Sequence, residues 1–311
     1  MPRVQKQKPT TATAAEVARL GDNGHAREGI LGRCRPVADL EEQWLKVVLY
    51  GKNRTGKTTL ACCFPKPLLL VDCEPGEGGG SGSVRNVKGV DHVKITSSDD
   101  ARQLAEELAS HANQGNGCPY KTVVLDTVTS LQDVVLMELL GLAEAPVQLG
   151  FGSVARETYM LRAEQCKRLF RAFRDLRCHT IFCAQEKDHN PPRDTPQASN
   201  KLIRGSHLES FFAADLGGAT VQWLHDACSY IARLSVEREI EIQVVPSKEG
   251  DQQIERETGR TIRRLWTMLQ PNIAAGFRSC NPDAVPEWIE DRTPQGMYQK
   301  VMKVVKGEKI S

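Results

Sequence analysis

The chain has 311 residues, enough to bury a sizeable core in one large α/β domain with extensions or in two small domains. Charged residues make up 26% and the apolar set 40%, an ordinary globular composition that excludes wholesale disorder. The net charge of +2 excludes a general attraction to nucleic acid or anionic membrane, so any nucleic-acid site must be local.

Residues 1 to 43 are polar, with Thr10 to Thr13 and Gly21 to Gly24 interrupting any long pattern, and read as an N-terminal arm, partly disordered. Regular structure begins at Leu45. Lys46 to Tyr50 is a β-branched apolar run ending in Gly51, followed by a helix-compatible stretch, Lys57 to Phe64, that Pro65 and Pro67 stop. Leu68 to Asp72 is a second buried run, closed by Cys73, Glu74, Pro75 and a glycine-rich turn over Gly76 to Gly82. Thr96 to His111 reads as a helix with a Ser/Asp-rich cap, and Thr122 to Leu125 as a third strand. Leu161 to Leu176 carries a helical apolar stripe, and Thr180 to Ala184 follows as a strand. Glu186 to Gly218 is too long and polar for a passive connection and reads as a functional loop. Ser229 to Val236, Glu239 to Val245 and Leu265 to Leu269 read as later strands, antiparallel additions at the sheet edge. The expected boundaries are an arm over 1–43, an ATPase-type core over 44–283, and a basic C-terminal helix or tail over 284–311. Strands alternating with helices predict a mostly parallel sheet with helices on both faces and ligands at the carboxyl ends of the strands.

The ten cysteines include no C-x-x-C pair and sit mostly in apolar runs, as buried, reduced thiols do. Cys178, His179 and Cys183 fall on opposite faces of one strand, which suits a core strand better than a metal site. No uncharged apolar run reaches the ~18 residues of a spanning helix, and no signal-peptide core follows the basic Met1 to Thr10 segment. A cytoplasmic protein with no membrane contact is the expectation.

Gly51, Lys52, Asn53, Arg54, Thr55, Gly56, Lys57 and Thr58 fit G-x-x-x-x-G-K-[ST] between a strand and a helix. Such a loop lets backbone N–H groups close around a polyphosphate, with Lys57 on the β and γ phosphates, the Thr58 hydroxyl on Mg²⁺ and Thr59 beside it. Asp126 closes the third strand, where a carboxylate can hold the metal. Glu74 ends the strand after the phosphate-loop helix and can polarise an attacking water, while Gln185 ends a further strand, where an amide can sense the γ-phosphate.

With these residues in place, the sequence resembles the RecA superfamily of P-loop ATPases. "LLLVDCE" matches the strand ending in a catalytic glutamate, "TVVLDTVTSL" the metal-binding strand, and "TIFCAQ" the strand ending in glutamine. The order holds over roughly residues 45 to 236, including Gly217-Gly218 before "VQWLHDACSYIARL". The compact chain is most similar to phage-encoded recombinases of the single-strand-annealing type reduced to the ATPase core.

The resemblance implies an ATPase using ATP and Mg²⁺, slow or DNA-stimulated, that acts on single-stranded DNA as a homo-oligomeric ring or filament in host cytoplasm. It implies Glu74 as general base, Gln185 as sensor, and two DNA-facing loops over Gly141 to Glu157 and Glu186 to Gly218. It also matches Gly276-Phe277-Arg278 to a basic turn reaching a neighbouring subunit's phosphates, with glycine where a lysine is expected, and so implies Arg278 as a finger in trans. The loops' own charge gives DNA binding no support: Lys187, Arg193, Lys201 and Arg204 face Glu186, Asp188, Asp194, Glu209 and Asp215 in the longer one. A nucleotide-dependent sensor that binds a protein partner instead of DNA therefore stays open. A small-molecule kinase is disfavoured, since the long loop offers only Arg193 and Arg204 as a lid.

Overall fold

The computed structural model describes residues 44–76, 80–111, 117–142, 154–188, 211–245 and 252–310. Trp44–Ser311 is one compact unit. The expected N-terminal arm and most of the two expected DNA-facing loops lie outside the described residues.

Five parallel strands form the centre: β1 (Lys46–Gly51), β2 (Leu68–Asp72), β3 (Val90–Lys94), β4 (Thr122–Asp126) and β5 (His179–Asp188). They lie in the order β3-β2-β4-β5-β1, so β5 separates the strand that opens the phosphate loop from the strand that ends in Asp126. Every residue of β2 and β4 is buried, because helices cover both faces and leave no polar side for alternation to mark. Alternate side chains feed two cores. Val48, Tyr50, Val71, Leu125 and Phe182 pack on one face with α2 (Ser98–His111), α3 (Val128–Leu140), α4 (Arg156–Arg174) and α5 (Gly218–Ala227). Val47, Leu49, Leu70 and Ile181 pack on the other with α1 (Lys57–Ala61) and α6 (Pro294–Val305).

An antiparallel extension grows from β1. β6 (Phe212–Ala214) pairs with the far end of β5. β7 (Tyr230–Val245) runs parallel to β1 through Tyr230–Arg233, then continues past it as one arm of a long antiparallel pair with β8 (Gln252–Trp266). β9 (Gly276–Phe277) pairs with the start of β7 and β10 (Trp288–Asp291) with β8. The α/β class and RecA-like P-loop arrangement are as the motif order implies.

Several details differ. The helix after the phosphate loop stops at Ala61 rather than Phe64, in keeping with its β-branched Thr58 and Thr59 and the prolines beyond. β3, α3 and β6 were not expected. The strands over 229–236 and 239–245 are one strand, β7, irregular between Arg238 and Ile240, and its first part is parallel because it borders β1. β8 ends at Trp266, leaving Met268 and Leu269 exposed. Glu186–Asp188 and Phe212–Ala214 pair with each other, so the expected 186–218 loop is shorter at both ends. The expected C-terminal helix is present as α6 and is packed on the core: β10 joins the sheet before it, and Met297, Val301 and Val304 of α6 share a core with Leu60 and Ala61 of α1.

A candidate nucleotide site at the carboxyl edge of the sheet

The parallel strands all point their carboxyl ends the same way, so β1, β2 and β4 deliver their terminal residues to one edge. A cleft of about 510 Å³ opens there, with Lys57, Thr58, Glu74 and Asp126 in its wall. The loop from β1 turns back at Arg54 (φ 65°) and Gly56 (φ 95°), and Gly56 caps α1 in the left-handed conformation that glycine adopts without cost. Thr55 is buried and its hydroxyl donates to the Lys52 carbonyl at 3.0 Å, which shapes the loop from behind.

Lys57 is buried, and its ammonium donates to the carbonyls of Gly51 and Lys52, both at 2.9 Å. Burial lowers its pKa; Cys183, Asp126, Glu74 and Glu186 oppose that shift. Thr58 Oγ1 donates to Asp126 Oδ2 at 2.6 Å. Asp126 is 4% exposed, and its pKa is raised first by that burial and further by Glu74 and Asp72, against the Thr58 hydrogen bond and the Lys57 charge. Asp72 stands in register with Asp126 on the neighbouring strand, and its Oδ1 accepts from the Glu74 N–H at 3.0 Å. Asp126 therefore has two further carboxylates beside it, Glu74 and Asp72, with the Lys57 charge set against them.

That donor set suits a magnesium nucleotide. The oxygens of Thr58 and Asp126 are hard ligands, and a buried carboxylate whose pKa is raised by its surroundings is relieved when a cation arrives. Gly80 keeps the corner open: a Cβ there would lie 2.6 Å from Thr58 Oγ1 and 2.7 Å from Asp126 Oδ2. Among the described residues no three His, Cys, Asp or Glu side chains converge at metal-ligand spacing. A hard cation in this corner would take Thr58 and Asp126 from the protein, with phosphate oxygens and water completing its shell.

Of the other expected site residues, Asn53, Arg54, Gly56 and Thr59 line the cleft, while Gly51 and Thr55 support it from behind. Gln185 lies in register with Gly51 and donates its backbone N–H to Thr129 Oγ1 at 3.0 Å; it borders the loop without lining the cleft. Arg278 follows β9, whose Phe277 pairs with Tyr230, itself opposite Val47. It therefore sits at the amino-terminal end of β1, away from this chain's own cleft. Four lining residues were missed, Gly80, Ser83, Thr127 and Arg263. Gly80 has a signal, the glycine-rich run, but no spacing rule assigns it; Arg263 has none, because only the β7–β8 register brings it here.

A family model described as an AAA domain matches residues 43–268. No curated protein matches. Similar solved structures include the flagellar accessory protein FlaH from Methanocaldococcus jannaschii, at 8% identity over 79% of this chain and 84% of that one, with a TM-score of 0.37. They also include the RadB recombinase, at 13% identity over 81% of this chain and 89% of that one, with a TM-score of 0.38.

Proposed function

We propose that this chain, which belongs to the AAA domain family through the match over residues 43–268, binds Mg-ATP in this cleft and hydrolyses it, and that it acts on single-stranded DNA in phage-type recombination or annealing. The observation that carries the nucleotide reading is the convergence of Lys57, Thr58 and Asp126 at one corner, with the Thr58 hydroxyl 2.6 Å from the Asp126 carboxylate.

In this reading Lys57 leaves the Gly51 and Lys52 carbonyls for the β and γ phosphates, which restores to its ammonium the anionic partner that burial otherwise denies it. Thr58 and Asp126 would hold magnesium, which when bound would offset negative charge on the phosphates. Glu74 is anchored through its own N–H to Asp72 and lines the cleft, so its carboxylate orients a water and accepts its proton. Glu74→Gln is expected to leave Mg-ATP affinity within about twofold while lowering turnover by about 10²- to 10⁴-fold.

The DNA assignment rests on the resemblance of the motif order to RecA-type recombinases; Gln185, in register with Gly51, borders the phosphate loop and would pass the state of a γ-phosphate along β5. Nucleotide-bound subunits assemble as a ring or filament, with Arg278 serving a neighbour's site. ATPase assays with and without single-stranded DNA test this: stimulation and ATP-dependent retention of DNA are expected, and neither effect would remove the DNA reading while leaving the ATPase. A protein partner is the second reading, favoured by the exposure of Tyr159, Met160 and Leu161 near the start of α4. ATP-dependent co-purification with a protein, without DNA retention, would select it.

A further inference from the structure

Arg263 is the basic residue lining the cleft that the phosphate-loop motif does not explain. It lies on β8 opposite Val236, three residues beyond the Arg233 that pairs with Tyr50, and so stands past the carboxyl edge of β1, above the loop. Its Nε would be 3.3 Å from a Cβ on Gly56, and it lines the same cleft as Lys57 and Asn53.

Its hydrogen bonding is incomplete. Nη1 donates to the Arg292 carbonyl at 2.9 Å, which fixes the guanidinium, while Nε is buried with no partner. The next residue has the opposite situation: Arg264 meets Glu237 at 2.7 Å and Glu290 at 2.5 Å. Among the described residues Arg263 has no carboxylate within ion-pair distance. A buried, unpaired donor on a fixed cation is costly unless a ligand satisfies it, and the cleft into which it faces is built for an anion.

We propose that Arg263 is a nucleotide-binding residue supplied in cis, donating through its guanidinium to the α and β phosphates of a bound nucleoside di- or triphosphate. The inference rests on the Mg-ATP reading of the cleft. Strand order sets which phosphates: β8 lies two strands from β1 on one side, and β4, which carries Asp126 to the metal corner, lies two strands away on the other. Arg263 thus approaches the loop from the side away from the metal and the γ-phosphate, and contributes alike to ATP and ADP.

The test is titration of the full chain with Mg-ATP and Mg-ADP, read as dissociation constants and as nucleotide-induced shifts in unfolding temperature, for wild type, Arg263→Gln, Arg263→Lys and Lys57→Ala. Arg263→Gln is expected to weaken both nucleotides equally, by about 10- to 100-fold, with the ligand-free unfolding temperature unchanged. Arg263→Lys keeps the charge but not the planar fork, and recovers only part of that loss. Wild-type affinity in Arg263→Gln or in Arg263→Lys, with Lys57→Ala impaired, would overturn the assignment of Arg263 alone. A loss for ATP only would overturn its placement on the α and β phosphates. Unchanged affinity in Lys57→Ala would instead overturn the reading of the cleft on which the proposal stands.

Discussion

The parallel half of the sheet and its antiparallel extension bring opposite charges to the same edge. β2, β4 and β5 reach it with Asp72, Asp126 and Glu186; β7 and β8 reach it with Arg233, Arg263 and Arg264. The acids of the parallel half sit at or near strand ends, where chain direction alone delivers them to a common site. The arginines of the extension lie within long strands, and their positions depend on how those strands are registered against β1. On the proposed reading the first half would supply the metal corner and the water-activating group, while the second brings cations to the other side of the loop.

The largest effect is expected where the halves are locked together. Arg233 meets Glu186 at 2.7 Å, with side chains 13% and 3% exposed, and its guanidinium lies 4.2 Å from the centre of the Phe212 ring. Truncation to alanine leaves Glu186 buried without compensation, and Arg233→Ala should lose about 3–5 kcal/mol in chemical denaturation. Adding Glu186→Gln should recover part of that loss; no recovery would place the effect in the Phe212 contact instead.

Within the extension alone the effect should be smaller. Arg264 joins Glu237 and Glu290 and lies over the rings of Trp266 and Trp288, at 5.6 and 4.9 Å from their centres. Arg264→Ala is expected to cost about 1–2 kcal/mol of stability, diminishing in high salt, without changing nucleotide affinity. An equal loss of nucleotide affinity would mean that the extension is not separable from the site.

The smallest stability effect, and one of opposite sign, belongs to Asp126. Its folded pKa is raised by burial, so ligand-free stability is greatest while the group is protonated and falls as pH rises through that raised value. Asp126→Asn should remove this fall and raise the ligand-free unfolding temperature at neutral pH by a few degrees, while Mg²⁺-dependent ATP binding is lost. In the wild type, Mg-ATP affinity should decline with acid at a higher pH than an ordinary aspartate would give.

The same division separates what the sequence disclosed from what it hid. Lys57, Thr58, Asp126 and Glu74 were legible because each is tied to a local signal, a glycine loop or an apolar run ending in an acid. Buried parallel strands such as Leu68–Asp72 were legible for the same reason. β3 was missed because Val90–Lys94 is a half-exposed edge strand with Asp91 and His92 inside it. α3 was missed although Thr127 offered a cap, accepting from the Ser130 N–H, and Val128, Leu131 and Val135 gave the buried stripe. Its half-buried positions Val134, Leu136, Met137, Leu139 and Leu140 are also apolar, which blurs the helical period. Arg263 could not have been found, since its place in the cleft is a consequence of long-range pairing and not of its neighbours in the chain.

The central claim is that Lys57 and Asp126 serve one magnesium nucleotide. Calorimetric titration of wild type and Lys57→Ala with ATP, in magnesium and in EDTA, tests it most directly. Tight binding in the wild type that requires magnesium, and a loss of about 100-fold or more in the variant, is the predicted result. Undiminished affinity in Lys57→Ala, or wild-type binding indifferent to magnesium, would contradict it.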